Sequence, residues 1–400
     1  MPTPLQYATT TNMTTPRVWR MGMVGGGEGS FIGAVHRTAA ALDHRCALTA
    51  GAFSSDPARS TRSGRALGLP DNRTYRSWQE MIDRESALPA DQRIDFVSVV
   101  TPNDSHHAIA RAFIDAGFHI VCDKPITTTS AQAQDLVEAA NAKGAVFCVT
   151  YNYTGYPLVR HARHMCRSGA IGGVRKVIVE YTQGWLASAL ERSESAGGFK
   201  QASWRTDPAQ AGAGGAIGDI GSHAEHLTRF VTGLEVESIC ADLTSFVDGR
   251  ALDDDASLLL RFSGGAKGVL TASQLCVGQE NNLRLRVWGE KGALDWSQET
   301  PNELRAWNES GAEQVIRRGN AGLAPDAIRA TRLPPGHPEA FYEAFANIYA
   351  GFFEALAARA NGTPFTNDAH FPTAHDGLIG VRFIEKTVEN TNSNQKWTGL

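Results

Sequence analysis

The chain has 400 residues, a formal net charge of −4 and an ordinary globular mixture of hydrophobic and charged residues. That length exceeds what one hydrophobic core usually serves, so two domains are expected. The near balance of 38 Lys and Arg against 42 Asp and Glu, with no basic block, argues against nucleic acid or an anionic membrane as partner. No run approaches the roughly 20 apolar residues of a membrane span. Cys46, Cys122, Cys148, Cys166, Cys240 and Cys276 are scattered, with no C-x-x-C pair, and read as buried free thiols in a reducing compartment. Residues 1–17, rich in Thr and Pro, lack the apolar run of a secretion signal. A flexible tail and a cytoplasmic protein are expected.

Val18–Val24 reads as a short strand, followed directly by Gly25-Gly26-Gly27-Glu28-Gly29-Ser30-Phe31-Ile32-Gly33 and the helix-forming run Ala34–Leu42. Strand, glycine loop and helix are the context of a dinucleotide fingerprint. Glycines let the backbone turn tightly and approach a pyrophosphate, and the helix N-terminus supplies amide donors. Gly25 and Gly27 fit the first two positions, whereas Gly33 falls three residues later than the usual third glycine. Glu28-Gly29-Ser30 therefore reads as a loop insertion, and Ser30, Phe31 and Ile32 join Gly25 and Gly27 as candidate cofactor contacts.

Further strands are expected at Ala47–Phe53, Ile94–Val100, His119–Cys122 and Ala145–Thr150, alternating with helices at Asp56–Leu67, Trp78–Ile82, His106–Ala116 and Ser130–Ala142. Asp56 reads as an N-cap ahead of Pro57 or, equally, as a ligand of a cofactor ribose. This alternation implies an α/β, doubly wound parallel sheet that binds ligands at the carboxyl ends of its strands. Thr101-Pro102-Asn103 and Asp123-Lys124-Pro125 lie at such ends, and His106 is placed to approach a nicotinamide ribose. At the end of the second strand, Ser54 and Ser55 suit either a ribose hydroxyl or a phosphate, with Arg59 and Arg62 nearby. NAD, the first choice, and NADP both stay open.

From residue 151 the rhythm changes. A helix at Pro157–Ser168 precedes strands at Val174–Tyr181, Glu237–Phe246, Ala256–Phe262, Ala266–Gln274 and Leu283–Trp288, with helices over 338–360 and 376–391. This reads as an α+β domain with a large, mostly antiparallel open sheet, and a homodimer or homotetramer through that sheet is expected. Within it, Gly214–His223 is a glycine-rich approach to a helix that puts Asp219 and His223 four residues apart on one face. Trp204 and Arg205 suit the wall of a sugar site or simple packing, and His337 suits a substrate contact or an ordinary loop. Asp253-Asp254-Asp255 reads as a turn before a strand, and His161 with His164 as a core or solvated pair; no metal is expected.

A Lys, an Asp and a His beside a nucleotide-binding half suit removal of a proton from a hydroxyl while hydride leaves the same carbon. Histidine is the natural base at neutral pH, Asp219 can orient its ring, and Lys124 can stabilise alkoxide charge.

Asp123-Lys124-Pro125, Thr101-Pro102-Asn103 with His106, and Gly218-Asp219-x-x-x-His223 together resemble the glucose–fructose oxidoreductase/inositol dehydrogenase (Gfo/Idh/MocA) family, from Arg20 to about Val388. The resemblance implies a Rossmann domain (18–150) that binds NAD or NADP and a C-terminal domain (151–400) that supplies the substrate site. It implies sugars, cyclitols and related polyols as substrates. Lys124 matches the lysine of the family's Glu-Lys-Pro motif, with Asp123 in place of Glu. Asp219 and His223 match its acid–histidine pair, and Asn152-Tyr153 opens a substrate-facing segment in which Thr154 replaces a frequent Arg. The expected protein is an NAD(P)-dependent dehydrogenase with His223 as acid/base, assisted by Lys124 and Asp219. Two other readings stay open: an NAD-dependent glycoside hydrolase working through a transient 3-keto sugar, and a non-catalytic nucleotide sensor. A sensor has no need of the Lys124, Asp219 and His223 set.

Overall fold

The computed structural model describes residues 17–192, 199–366 and 370–400. The expected tail over residues 1–17 lies, except for Arg17, outside the described residues, as does part of the loop after Glu191.

Five parallel strands form the first sheet: β1 (Trp19–Gly25), β2 (Cys46–Ala52), β3 (Phe96–Val100), β4 (His119–Cys122) and β5 (Phe147–Val149), in the order β2-β1-β3-β4-β5. Every residue of β3 is buried, as expected for a central strand with helices on both faces. The helices Phe31–Ala41, Pro57–Ala66, Trp78–Ser86, His106–Asp115 and Ser130–Lys143 alternate with the strands. Asp56 caps its helix by accepting from the Arg59 amide, with Pro57 at the first helical position. The helix after the glycine loop starts at Phe31, earlier than the sequence pattern indicates, because extended Ser30 caps it through the Gly33 amide (3.2 Å).

Nine strands form the second sheet: β6 (Val174–Thr182), β7 (Val236–Thr244), β8 (Asp255–Phe262), β9 (Lys267–Ser273), β10 (Asn282–Gly289), β11 (Gly292–Ser297), β12 (Glu303–Asn308), β13 (Glu313–Arg317) and β14 (Thr398–Gly399). Their order is β13-β12-β11-β10-β6-β9-β8-β7-β14, antiparallel except for β6 beside β9. The meander β11–β13 is absent from the sequence reading. Along β8 burial alternates strictly, with Leu258 and Leu260 inward and Leu259 outward at 48% exposure. The inward face packs beneath the helices Pro157–Arg167 and Ser222–Thr232 through one continuous apolar cluster.

The last two long helices tie the sheets together. Phe345, Ile348, Tyr349, Phe352 and Phe353 of the helix Phe341–Ala360 pack on Trp19, Met21, Met23 and Phe96 of the first sheet. The helix Ala374–Thr391 divides its face: Leu378 and Val381 join the first-sheet core, and Phe383 and Ile384 join the second. Among the described residues no helix is long and apolar enough to cross a membrane, and no three His, Cys, Asp or Glu side chains are grouped to hold a metal. All six cysteines are free.

Phe352 is fully buried, with its ring 5.1 Å from that of Phe96. Phe352→Ala is expected to cost about 3–5 kcal/mol of unfolding free energy. Leu259→Ala, on the exposed sheet face, is expected to cost under about 1 kcal/mol. Urea denaturation of both variants checks the contrast.

Candidate active site

A cleft of about 1160 Å³ runs from the carboxyl ends of β1–β4 to the polar ends of the second sheet. Its floor begins at the glycine loop. Gly25 and Gly26 have φ of 83° and 71°, which side chains resist. A Cβ on Gly33 would lie 2.4 Å from the Gly26 Cα, so the helix crosses the loop backbone to backbone. Gly33 thus takes the close-packing role of the third fingerprint glycine. Ser30, Phe31 and Ile32 all line the cleft, with Gly25 and Gly27.

Beside β2 the wall carries Ser54, Ser55, Arg59 and Arg76, whereas Asp56 and Arg62 do not reach it. Asp56 turns its carboxylate to its own helix, and Arg59 holds the Glu28 carbonyl at 2.7 Å. Thr101, Pro102, Asn103, Asp123 and Lys124 line the cleft at the ends of β3 and β4. His106 does not. It is fully buried, and its two ring nitrogens sit 2.9 Å from the carbonyls of Thr101 and Pro125. It fixes two cleft loops to each other and makes no contact in the cleft itself, contrary to the expected ribose contact. His337 is likewise elsewhere, exposed in its loop with its carbonyl accepting from Arg318.

Lys124 lies two residues past β4, at a cis Lys124–Pro125 bond, and crosses the cleft, donating to the carbonyl of Asp219 and to its Oδ1 (2.9 Å). Asp219 Oδ2 accepts from Arg205 Nε (3.1 Å) and Gln274 Nε2 (3.0 Å). Asp219 lies in a π-helical turn, Ile217–Gly221, that opens the helix Ser222–Thr232. Asp253 clamps the approach, accepting from the amides of Gly215 (2.6 Å) and Ile217 (2.7 Å). The first residue of the aspartate triplet therefore has a structural task.

The widened turn alters the expected pairing, because a π turn removes the stacking of residues four apart. With both carboxylate oxygens taken, Asp219 makes no hydrogen bond to His223. Among the described residues the buried His223 Nδ1 has no hydrogen-bond partner, and its ring is enclosed by Tyr151, Tyr153 and Tyr181 at centroid distances of 5.6, 4.8 and 6.2 Å. Asp219 as direct orienter of the imidazole is thus replaced by Asp219 as holder of Lys124. Burial alone would raise the Asp219 pKa, but Lys124 and Arg205 hold it well below the usual carboxylate range. Burial, reinforced by Lys124, pushes His223 well below the usual histidine value, so its ring is neutral at neutral pH.

The opposite wall is neutral and polar. Tyr181 donates to Asn281 Oδ1 (2.7 Å), Gln183 Nε2 donates to the same oxygen (2.8 Å), and Tyr153 joins them through its hydroxyl. Trp204 lines the cleft with the Arg205 guanidinium 4.2 Å above its ring. Tyr181, Gln274 and Asn281 escaped the sequence reading. Their signal was a polar residue at the end of an apolar strand or in the turn that follows it.

Residues 19–151 match the model of an oxidoreductase family with an NAD-binding Rossmann fold, and residues 159–295 match the GFO/IDH/MocA C-terminal domain. An uncharacterized oxidoreductase of Bacillus subtilis (strain 168) is 34% identical over 94% of this chain and 96% of its own. Levoglucosan dehydrogenase of Pseudarthrobacter phenanthrenivorans is 27% identical over 80% of this chain and 81% of its own. An inositol dehydrogenase homolog of Azotobacter vinelandii, solved with NAD+, superposes with a TM-score of 0.90 at 35% identity, over 96% of this chain and 98% of that one. Fold and cleft together define an oxidoreductase that uses a nicotinamide dinucleotide, NAD or NADP. The chain belongs to the Gfo/Idh/MocA family.

Gly33→Ala is expected to push the helix off the loop and weaken dinucleotide binding by at least about tenfold, measured by titration calorimetry. His106, His223 and His226 are buried, and burial lowers each pKa below the usual 6.5. Below that value the unfolded chain binds protons that the folded one refuses, so stability falls as pH falls. Between pH 7.5 and 5.5 the loss is expected to be roughly 1 kcal/mol for each histidine that stays neutral, read from urea curves.

Proposed function

We propose that this protein oxidises a secondary hydroxyl of an uncharged sugar, glycoside or cyclitol. The observation that carries the reading is the convergence of His223 and the Lys124–Asp219 ion pair in the same cleft as the glycine loop. The glycine loop and the strand ends would hold the dinucleotide, which would supply the hydride acceptor.

His223 takes the hydroxyl proton. It is already neutral, so no prior deprotonation is required, and its position among three tyrosine rings keeps bulk water from the ring. Lys124 donates to the substrate oxygen and stabilises the charge that grows there. Asp219 keeps Lys124 in place from across the cleft. Gln183, Asn281 and Tyr153 supply neutral donors and acceptors for further hydroxyls, and Trp204 offers a flat face to a ring's C–H groups. The amide-rich wall favours uncharged polyols over sugar acids. Among relatives, inositol 2-dehydrogenase of Rhizobium meliloti, at 26% identity over 87% of this chain, supports a cyclitol or similar ring. The outward face of the second sheet, with Leu259 and Trp288 exposed, is where we place self-association, and six free cysteines suit a cytoplasmic location.

The test is absorbance at 340 nm with NAD or NADP and a panel of inositols, aldoses and glycosides. Accumulation of reduced cofactor supports a net dehydrogenase. Glycoside cleavage without accumulation would favour the hydrolase, and nucleotide binding without either would favour a sensor. With the best substrate, His223→Ala is expected to lower kcat at least about 100-fold with unchanged cofactor affinity. Full turnover in that variant would remove His223 from the role.

A further inference from the structure

Beneath the cleft lies a polar cluster that the proposed chemistry does not use. His36, on the helix Phe31–Ala41, is fully buried and absent from the cleft wall. Its Nε2 lies 3.0 Å from Asp123 Oδ1, which also accepts from the Thr150 hydroxyl at 2.6 Å. Its Nδ1 lies 2.7 Å from the Tyr349 hydroxyl and 2.9 Å from that of Ser98. The first helix, β3, the ends of β4 and β5 and the helix Phe341–Ala360 thus meet at one imidazole.

The chemistry of these partners fixes the proton. Facing a carboxylate, Nε2 carries a hydrogen, and Nδ1 is left to accept from a neighbouring hydroxyl, Tyr349 or Ser98. Burial on its own would raise the Asp123 pKa, but His36 and the Thr150 hydroxyl hold it below the usual value, so the carboxyl is an anion. Its Oδ1 is turned inward, and its Oδ2 makes no hydrogen bond among the described residues. The Asp123 side chain is 18% exposed and lines the cleft. The pyrophosphate of a dinucleotide belongs over the glycine loop and its adenosine beside β2. The end of β4, on the far side of β3, therefore faces the nicotinamide-side ribose, whose diol is a pair of donors suited to a free carboxylate oxygen.

We infer that His36 is a positioning residue for that end of the cofactor. It holds Asp123 through one oxygen so that the other faces the ribose diol, and it steadies the backbone from which Lys124 extends. A helix that starts at the phosphate loop thereby reaches the catalytic lysine by way of a buried imidazole. The inference rests on the cleft being the dinucleotide site.

Calorimetric titration of the full-length protein with NAD and with ADP, which lacks the second ribose, tests it alongside thermal melting. His36→Leu is expected to weaken NAD about tenfold and ADP less than about twofold. His36→Gln, whose amide can still donate to Asp123, is expected to recover most of the loss. Tyr349→Phe keeps the ring packing and is expected to weaken NAD about threefold with ADP unchanged. Equal weakening of NAD and ADP, no recovery in His36→Gln, or unchanged NAD affinity in Tyr349→Phe would each overturn the assignment and leave His36 a packing residue. If the unaltered protein bound neither nucleotide, the cleft reading itself would fail, which is a separate result.

Discussion

The ion pair between Lys124 and Asp219 joins the carboxyl edge of a parallel sheet to a π-helical turn of the second half, 95 residues further along the chain. Both groups are mostly withdrawn from water, with side chains 13% and 21% exposed. Stripping one partner from such a mostly buried pair typically costs about 3–5 kcal/mol. Arg205 and Gln274 complete the aspartate's hydrogen bonding, and Asp253 fixes the turn that carries it. The pair therefore fixes the width of the cleft as well as its chemistry. In the proposed reaction it would hold a cation where negative charge develops on an oxygen, leaving the buried ring of His223 to take the proton.

Much of this was legible in the sequence because the relevant signals are local. Strand, glycine loop and helix lie within about twenty-five residues, and only glycine satisfies the backbone contact between Gly26 and Gly33. Lys124 at a strand end and Asp219 with His223 on one approach were readable for the same reason. The pairing of these groups was not. Four-residue spacing suggested a carboxylate beside an imidazole, and the π turn sent that carboxylate to Lys124 and Arg205 instead.

The sequence reading also missed contacts made by residues far apart in the chain. His106 looked like a cofactor contact because it opens a helix at a strand end, yet its ring binds two backbone carbonyls that only the fold brings together. His36 carried no signal at all, since its partners Ser98, Asp123 and Tyr349 lie up to 313 residues away. The meander β11–β13 was lost for a different reason. Its strands are only five or six residues long, and β13 is mostly exposed.

The helix Phe341–Ala360 covers Trp19, Met21, Met23 and Phe96, which belong to the first and third strands of the chain. During synthesis those strands leave the ribosome roughly 240 to 320 residues before the helix that shields them. A nascent first sheet must carry a bare aromatic and thioether-rich face for most of translation, the kind of surface that chaperones bind and that drives aggregation when unguarded. Truncation shortly before residue 341 would leave that face permanently uncovered. The order in which the chain is made thus runs against the order in which its cofactor-binding half becomes complete.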